Sequence, residues 1–226
     1  MASTSPASRL IGTAAGAQLR PLGLRRQGRS RLWLDDQGWW LGVVEFSPPK
    51  WGQGSGLQVG VMWLWQDTEY FSFNVSAQEI GRQDFRHEDQ FAPVAEDLAR
   101  RAAGKVEAFR RRFPDLAAVA DDLTARRTDR GWSWEAWNAG VAAALVGDTS
   151  TARERFTTVL DDDPVAPWMR EAQQTTRELL DLVDDRDAVR SWAVDRITSC
   201  RARLGLGPAA GLDAALGPGT PADTEL

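Results

Sequence analysis

His87 is the one histidine of the chain and stands in Phe85-Arg86-His87-Glu88-Asp89, an imidazole beside two carboxylates. Such a pair can abstract a proton as a general base, but immediate neighbours in sequence seldom face each other, and a solvated loop explains the cluster better. A single histidine also excludes a paired-histidine metal site within one chain. Cys200, the only cysteine, recurs at helical spacing with Val189, Ala193 and Ile197, the setting of a buried, inert thiol. No Gly-x-Ser-x-Gly elbow is present to activate a serine.

Gly52-Gln53-Gly54-Ser55-Gly56 has the composition of a phosphate loop. Phosphate loops feed a helix and add a lysine after the glycines, whereas here a strand follows and Lys50 comes first. The segment reads as a flexible connection that doubles as a ligand-binding loop in the second functional reading below. Paired acids occur at Asp35-Asp36, Asp121-Asp122, Asp161-Asp162-Asp163 and Asp184-Asp185. Most sit at helix ends, where capping and the helix dipole explain them. No metal site and no cofactor is expected.

The aromatic residues are the strongest signal. Six of the eleven tryptophans, Trp33, Trp39, Trp40, Trp51, Trp63 and Trp65, fall within 33 residues. Trp63 and Trp65 share an apolar strand face with Leu57, Val59 and Val61 and are expected in the core. Consecutive residues of a strand point to opposite faces, so one of Trp39 and Trp40 is expected away from the face that a long helix covers. The candidate ligand- or partner-binding residues are therefore Trp39, Trp40 and Trp51, with Glu45, Arg31 and His87 as the polar groups of a pocket that the sheet, Trp51 and the Gly52–Gly56 loop would form.

The elements that position these residues follow from periodicity. Leu10–Leu19 has the composition of a short helix ended by Pro21 and Gly23, and Leu24–Arg29 is a basic run leading to the first strand. Period-two alternation and turn residues predict four strands in antiparallel meander order, at 31–34, 39–46, 57–65 and 69–75. Ser76–Glu79 fits a capping box for a turn of helix. Apolar spacing of three and four then predicts a long helix from Phe91 to Phe113, a shorter one at Leu116–Leu123, and helices through Trp168–Val183 and Val189–Cys200.

Between Ser133 and Pro164, the residues Asn138, Gly140, Gly147-Asp148, Ala152, Phe156 and Asp163-Pro164 stand at the offsets of one tetratricopeptide unit of about 34 residues. This stretch resembles a single repeat. Small residues at Gly140 and Ala152 allow two antiparallel helices to approach closely.

Leu22-Gly23-Leu24-Arg25-Arg26, Gly38-Trp39-Trp40-Leu41 with Val44-Glu45-Phe46, and Val59-Gly60-Val61 with Trp63-Leu64-Trp65 and Phe71-Ser72-Phe73 resemble an uncharacterised bacterial family catalogued as domain of unknown function 4304, over residues 22 to about 115. The resemblance implies no activity, cofactor or catalytic residue.

The expected fold is α+β. It comprises an N-terminal helix, a four-stranded antiparallel meander sheet packed by a long helix, and an all-α C-terminal bundle with the tetratricopeptide-like hairpin. The expected organisation is residues 1–8 disordered, 9–128 the tryptophan-rich α+β domain, 129–204 helical, and 205–226 a disordered tail.

A net charge of −5 over 226 residues argues against nucleic acid, which rewards a basic footprint. No apolar run approaches the roughly 20 residues of a spanning helix, and the lone cysteine gives no disulfide framework. The chain is expected to be a cytoplasmic protein that binds neither nucleic acid nor membrane. The leading functional reading is a non-catalytic interaction module that binds a protein partner. The alternative is a small-molecule-binding domain or enzyme with a pocket formed by the sheet and the Gly52–Gly56 loop.

Overall fold

The first described element is a proline-started helix. In the computed structural model, which describes residues 5–127 and 134–217, α1 (Pro6–Leu19) is capped by Ser5, whose side chain accepts from the Ser8 amide. Proline suits the first helical position because its missing N–H would be unpaired there in any case. The helix therefore starts inside the segment expected to be disordered, of which residues 1–4 lie outside the described residues.

The sheet is a five-stranded antiparallel meander, one strand more than the sequence predicts. Its strands are β1 (Arg25–Arg26), β2 (Leu32–Asp36), β3 (Trp40–Glu45), β4 (Gly54–Trp63) and β5 (Val75–Asp84), each paired with the next. On β4, Leu57, Val59, Val61 and Trp63 are buried on one side, and Gly60 and Met62 are buried on the other. Both faces of this strand are thus covered, as its apolar composition requires.

Two strand expectations are corrected. The expected strand at 69–75 is irregular, and the strand that pairs with β4 runs from Val75 onward, through the segment read as a capping box. Glycine explains the pairing. An added Cβ at Gly60 would lie 2.6 Å from the Val75 carbonyl oxygen and 2.8 Å from the Phe73 ring, so the two backbones meet where no side chain intervenes. Secondly, β4 ends at Trp63, and Leu64–Gln66 forms a 3-10 turn, so Trp65 leaves the sheet face it was expected to share with Trp63.

Helix α2 (Glu88–Arg112) follows and buries Phe91, Ala95, Leu98, Ala102, Val106 and Phe109 at the expected spacing. It is fastened to β2 by Arg110, which donates from Nε and Nη2 to the two carboxylate oxygens of Asp35 at 2.9 and 2.5 Å and from Nη2 to the Leu22 carbonyl at 2.7 Å.

The remaining helices are α3 (Leu116–Thr124), α4 (Trp134–Val146), α5 (Thr149–Leu160), α6 (Pro167–Leu182), α7 (Arg186–Arg203) and α8 (Leu212–Ala215). Asp115, Asp148 and Asp185 cap α3, α5 and α7 by accepting backbone N–H bonds; of these, Asp185 is one of the paired acids expected at helix ends. Helices α4 and α5 form an antiparallel hairpin. Gly147 closes α4 with φ +87°, and an added Cβ at Gly140 would lie 2.6 Å from the Phe156 ring. Ser133, the expected first residue of this hairpin, and residues 129–132 lie outside the described residues.

The chain divides into two compact units, Met1–Trp63 with Tyr70–Arg111, and Leu64–Glu69 with Arg112–Leu226. The boundary precedes the expected one at 128/129 because α3 packs on α4. The connection between β4 and β5 also belongs with the helices. Trp65 Nε1 and Gln66 Nε2 donate to Asn138 Oδ1 at 2.9 and 3.3 Å, and Arg196 Nε donates to the Trp65 carbonyl at 3.3 Å. The expected disordered tail is partly ordered: α8 buries Leu212, the residue after it, Leu216, is also buried, and residues 218–226 lie outside the described residues.

Candidate functional site

Of the residues singled out in the sequence, Arg31 and Glu45 come together. They line an open groove of about 700 Å³ on the N-terminal unit with Ser5, Ser8, Arg26, Arg29, Ser30 and Pro48. Three arginines and one glutamate line it.

Local structure explains the convergence. Between β1 and β2 the chain turns through Gly28, at φ +54°, with Ser30 Oγ donating to the Gln27 carbonyl at 2.6 Å. Arg26 folds back over this turn and donates to the Ser30 and Arg29 carbonyls at 2.5 and 2.9 Å. Arg31 reaches the other way. Its Nη1 donates to the Gly54 carbonyl at 2.9 Å and its Nη2 to Ser8 Oγ at 2.5 Å. The side chains of Arg29 and Glu45 have no hydrogen bond or ion pair among the described residues. Glu45 enters from the end of β3, directly opposite Leu32 in the ladder, next to Arg31.

The electrostatics follow from this packing. Burial first, and then the neighbouring Arg26 charge, pull the Arg31 guanidinium below the ordinary arginine range. Two like charges held close and partly away from water favour a counter-charge between them. The first turn of α1 adds the positive end of its dipole through Ser5 and Ser8. Three forked cations, three serines and one free carboxylate can hold an anion and orient a group next to it.

The other candidates lie elsewhere. Trp39 and Trp40 are 5% and 2% exposed, and both rings meet Trp63, Trp39 stacked at 5.9 Å and 13° and Trp40 edge-on at 6.5 Å. Alternation does not separate them, because Trp39 belongs to the turn and only Trp40 to the strand. Their burial removes them as exposed binding anchors. Trp51 is 81% exposed and does not line the groove. His87 is exposed and caps α2, with Nδ1 accepting from the Gln90 amide at 3.3 Å, so its neighbouring acids serve a helix start.

The glycine segment acts indirectly. Gly54 and Gly56 lie in β4 against β5, and an added Cβ on Gly54 would stand 2.2 Å from the Gln83 carbonyl oxygen. The segment supplies the carbonyl that aims Arg31, and it does not wall the groove.

Sequence reasoning missed Ser5, Ser8, Arg26 and Arg29. The basic run Leu24–Arg29 was the available signal, and the serines fell in a stretch read as disordered. Among the described residues no cluster of three or more histidine, cysteine or acidic side chains is arranged to hold a metal ion, and no helix is long and apolar enough to cross a membrane. No protein-family model, curated protein or solved structure matches the chain.

Proposed function

We propose that the chain is a binding protein whose N-terminal unit captures an anionic group in the arginine-lined groove. The observation that carries this reading is the convergence of Arg26, Arg29 and Arg31 on one concavity, with Arg31 held in place by Gly54 and Ser8 and the Arg29 side chain left without a partner among the described residues. The reading favours the pocket alternative over an indole patch on the sheet, and it moves the pocket from the Gly52–Gly56 loop to the turn before β2.

The test is calorimetric titration of pyrophosphate into the whole chain, with Arg29→Ala as the variant and Arg86→Ala, exposed and outside the groove, as the control. Binding that Arg29→Ala weakens about tenfold and Arg86→Ala leaves alone supports the reading. Equal binding by all three rejects it.

A second reading keeps the helical unit as a surface for a protein partner. It is favoured by Trp168, 45% exposed and stacked on Trp134 at 5.7 Å, with Val165 88% exposed three residues earlier. Loss of a captured partner on Trp168→Ala, with groove variants still capturing it, would favour that reading.

A further inference from the structure

The groove contains a feature that anion capture alone does not use, the free carboxylate of Glu45. A site selected only for negative charge would exclude an acid from its wall, because a like charge opposes the ligand. Glu45 nevertheless stands at the end of β3, half-buried, across the ladder from Leu32, and none of the three guanidiniums is bonded to it.

We propose that the groove binds a phosphate monoester of a small polyhydroxylated molecule, with Arg26, Arg29 and Arg31 around the phosphate and Glu45 accepting hydrogen bonds from the hydroxyl groups beside it. This rests on the anion-capture reading of the same site.

Three observations favour this ligand class. Three guanidiniums against one carboxylate leave an excess of two positive charges, which matches a phosphate monoester at roughly −1.5 to −2 near neutral pH. A monoester also offers three terminal oxygens to forked donors, and Ser5 and Ser8 at the start of α1 add hydroxyls and the positive end of a helix dipole to the same wall. Size is the second consideration: about 700 Å³ lies within the range of sites that take a whole small molecule, roughly 300–1,000 Å³, and exceeds the need of a bare ion.

The third is Glu45 itself. An ionised carboxylate only accepts hydrogen bonds, so its partner on the ligand must be a donor, and a hydroxylated carbon skeleton supplies several within reach of an ester phosphate. A nucleic-acid backbone offers a poor match. It presents one negative charge per phosphate in an extended series, and the groove's single cluster of cations is bounded by an acid.

The experiment compares glucose 6-phosphate, ethyl phosphate and glucose by calorimetric titration at constant ionic strength, against the wild-type chain, Glu45→Ala and Arg29→Ala. Circular dichroism and thermal unfolding confirm that the variants fold. Expected is glucose 6-phosphate binding at least tenfold tighter than ethyl phosphate in the wild type. Glu45→Ala should shrink that gap to less than threefold without weakening ethyl phosphate, and Arg29→Ala should weaken both esters.

If the two phosphates bind alike in the wild type, or the gap survives Glu45→Ala, the ligand class is wrong. The anion site then stands as long as Arg29→Ala weakens ethyl phosphate. Glucose binding as tightly as its phosphate also overturns the ligand class. If neither phosphate binds in a way that Arg29→Ala reduces, the ligand class and the anion site fall together. Tighter binding of an oligothymidylate than of glucose 6-phosphate would assign the groove to nucleic acid and overturn the proposal.

Discussion

Arg31 Nη1 donates to the Gly54 carbonyl at 2.9 Å, and Gly54 occupies a position that only glycine fits. Its φ of +149° and the 2.2 Å approach of the Gln83 carbonyl oxygen to an added Cβ leave no room for a side chain. The aim of a groove cation therefore depends on a close backbone pairing between β4 and β5. Gly54→Ala should cost about 1–3 kcal/mol through overpacking and strain, read as a fall in the urea midpoint. It should also weaken anion binding several-fold, whereas Gly81→Ala, which meets nothing within 4 Å, should leave binding unchanged.

The Asp35–Arg110 pair is the principal polar fastening of α2. Asp35 is 3% exposed and also accepts from Gln37 Nε2 at 2.9 Å. Removing the cation leaves a carboxylate in a site that water hardly reaches, and breaking such a pair costs about 3 kcal/mol. Arg110→Ala should lose close to this in urea unfolding. The Asp35→Ala/Arg110→Ala double variant should lose markedly less than the sum of the two single variants, because each single change already removes the shared interaction.

In the helical unit, Gly140 and Phe156 set the spacing of α4 and α5. Gly140→Ala would push a methyl to 2.6 Å from a fully buried ring and should cost about 1–3 kcal/mol. Phe156→Leu introduced into the Gly140→Ala chain should recover part of that loss. Additive losses in thermal unfolding would show that the two residues do not meet.

Cys200 is fully buried, with its Sγ 3.6 Å from the Thr68 carbonyl. Burial pushes its thiol above the ordinary range, so the native thiol should resist an aromatic disulfide reagent at pH 8 and react promptly once urea unfolds the chain. The raised value also carries a sign for stability. The native state keeps a proton that the unfolded chain releases, so this contribution is complete below the ordinary thiol value and is lost as pH rises through the native one. A Cys200→Ala variant should therefore show a shallower loss of stability on the alkaline side.

Much of the architecture was legible because it rests on short-range rules. The spacing of Phe91, Leu98, Val106 and Phe109 marked α2, and the offsets of Gly140, Gly147 and Phe156 marked the α4–α5 hairpin. What was not legible depends on distant partners. Trp65 continues a perfect alternation, yet Asn138, 73 residues away, takes its indole N–H. Ser76–Glu79 fits a helix start, yet β4 recruits it as a strand because Gly60 lets the backbones meet. Of the site, Arg31 and Glu45 were legible only as polar groups for a pocket beside the glycine loop. What joins them is a turn at Gly28 and a helix start at Ser5, and neither has an apolar period to announce it.

The central claim, that Arg26, Arg29 and Arg31 hold one anion together, is tested most directly by the arginine Nε–Hε signals in a ¹H–¹⁵N spectrum during titration with ethyl phosphate. Three signals, assigned by single substitution to these arginines, should move with one common dissociation constant, and the movement should weaken strongly in Arg29→Ala. Signals that stay in place, or that move at arginines outside the groove with these three unchanged, would contradict the account.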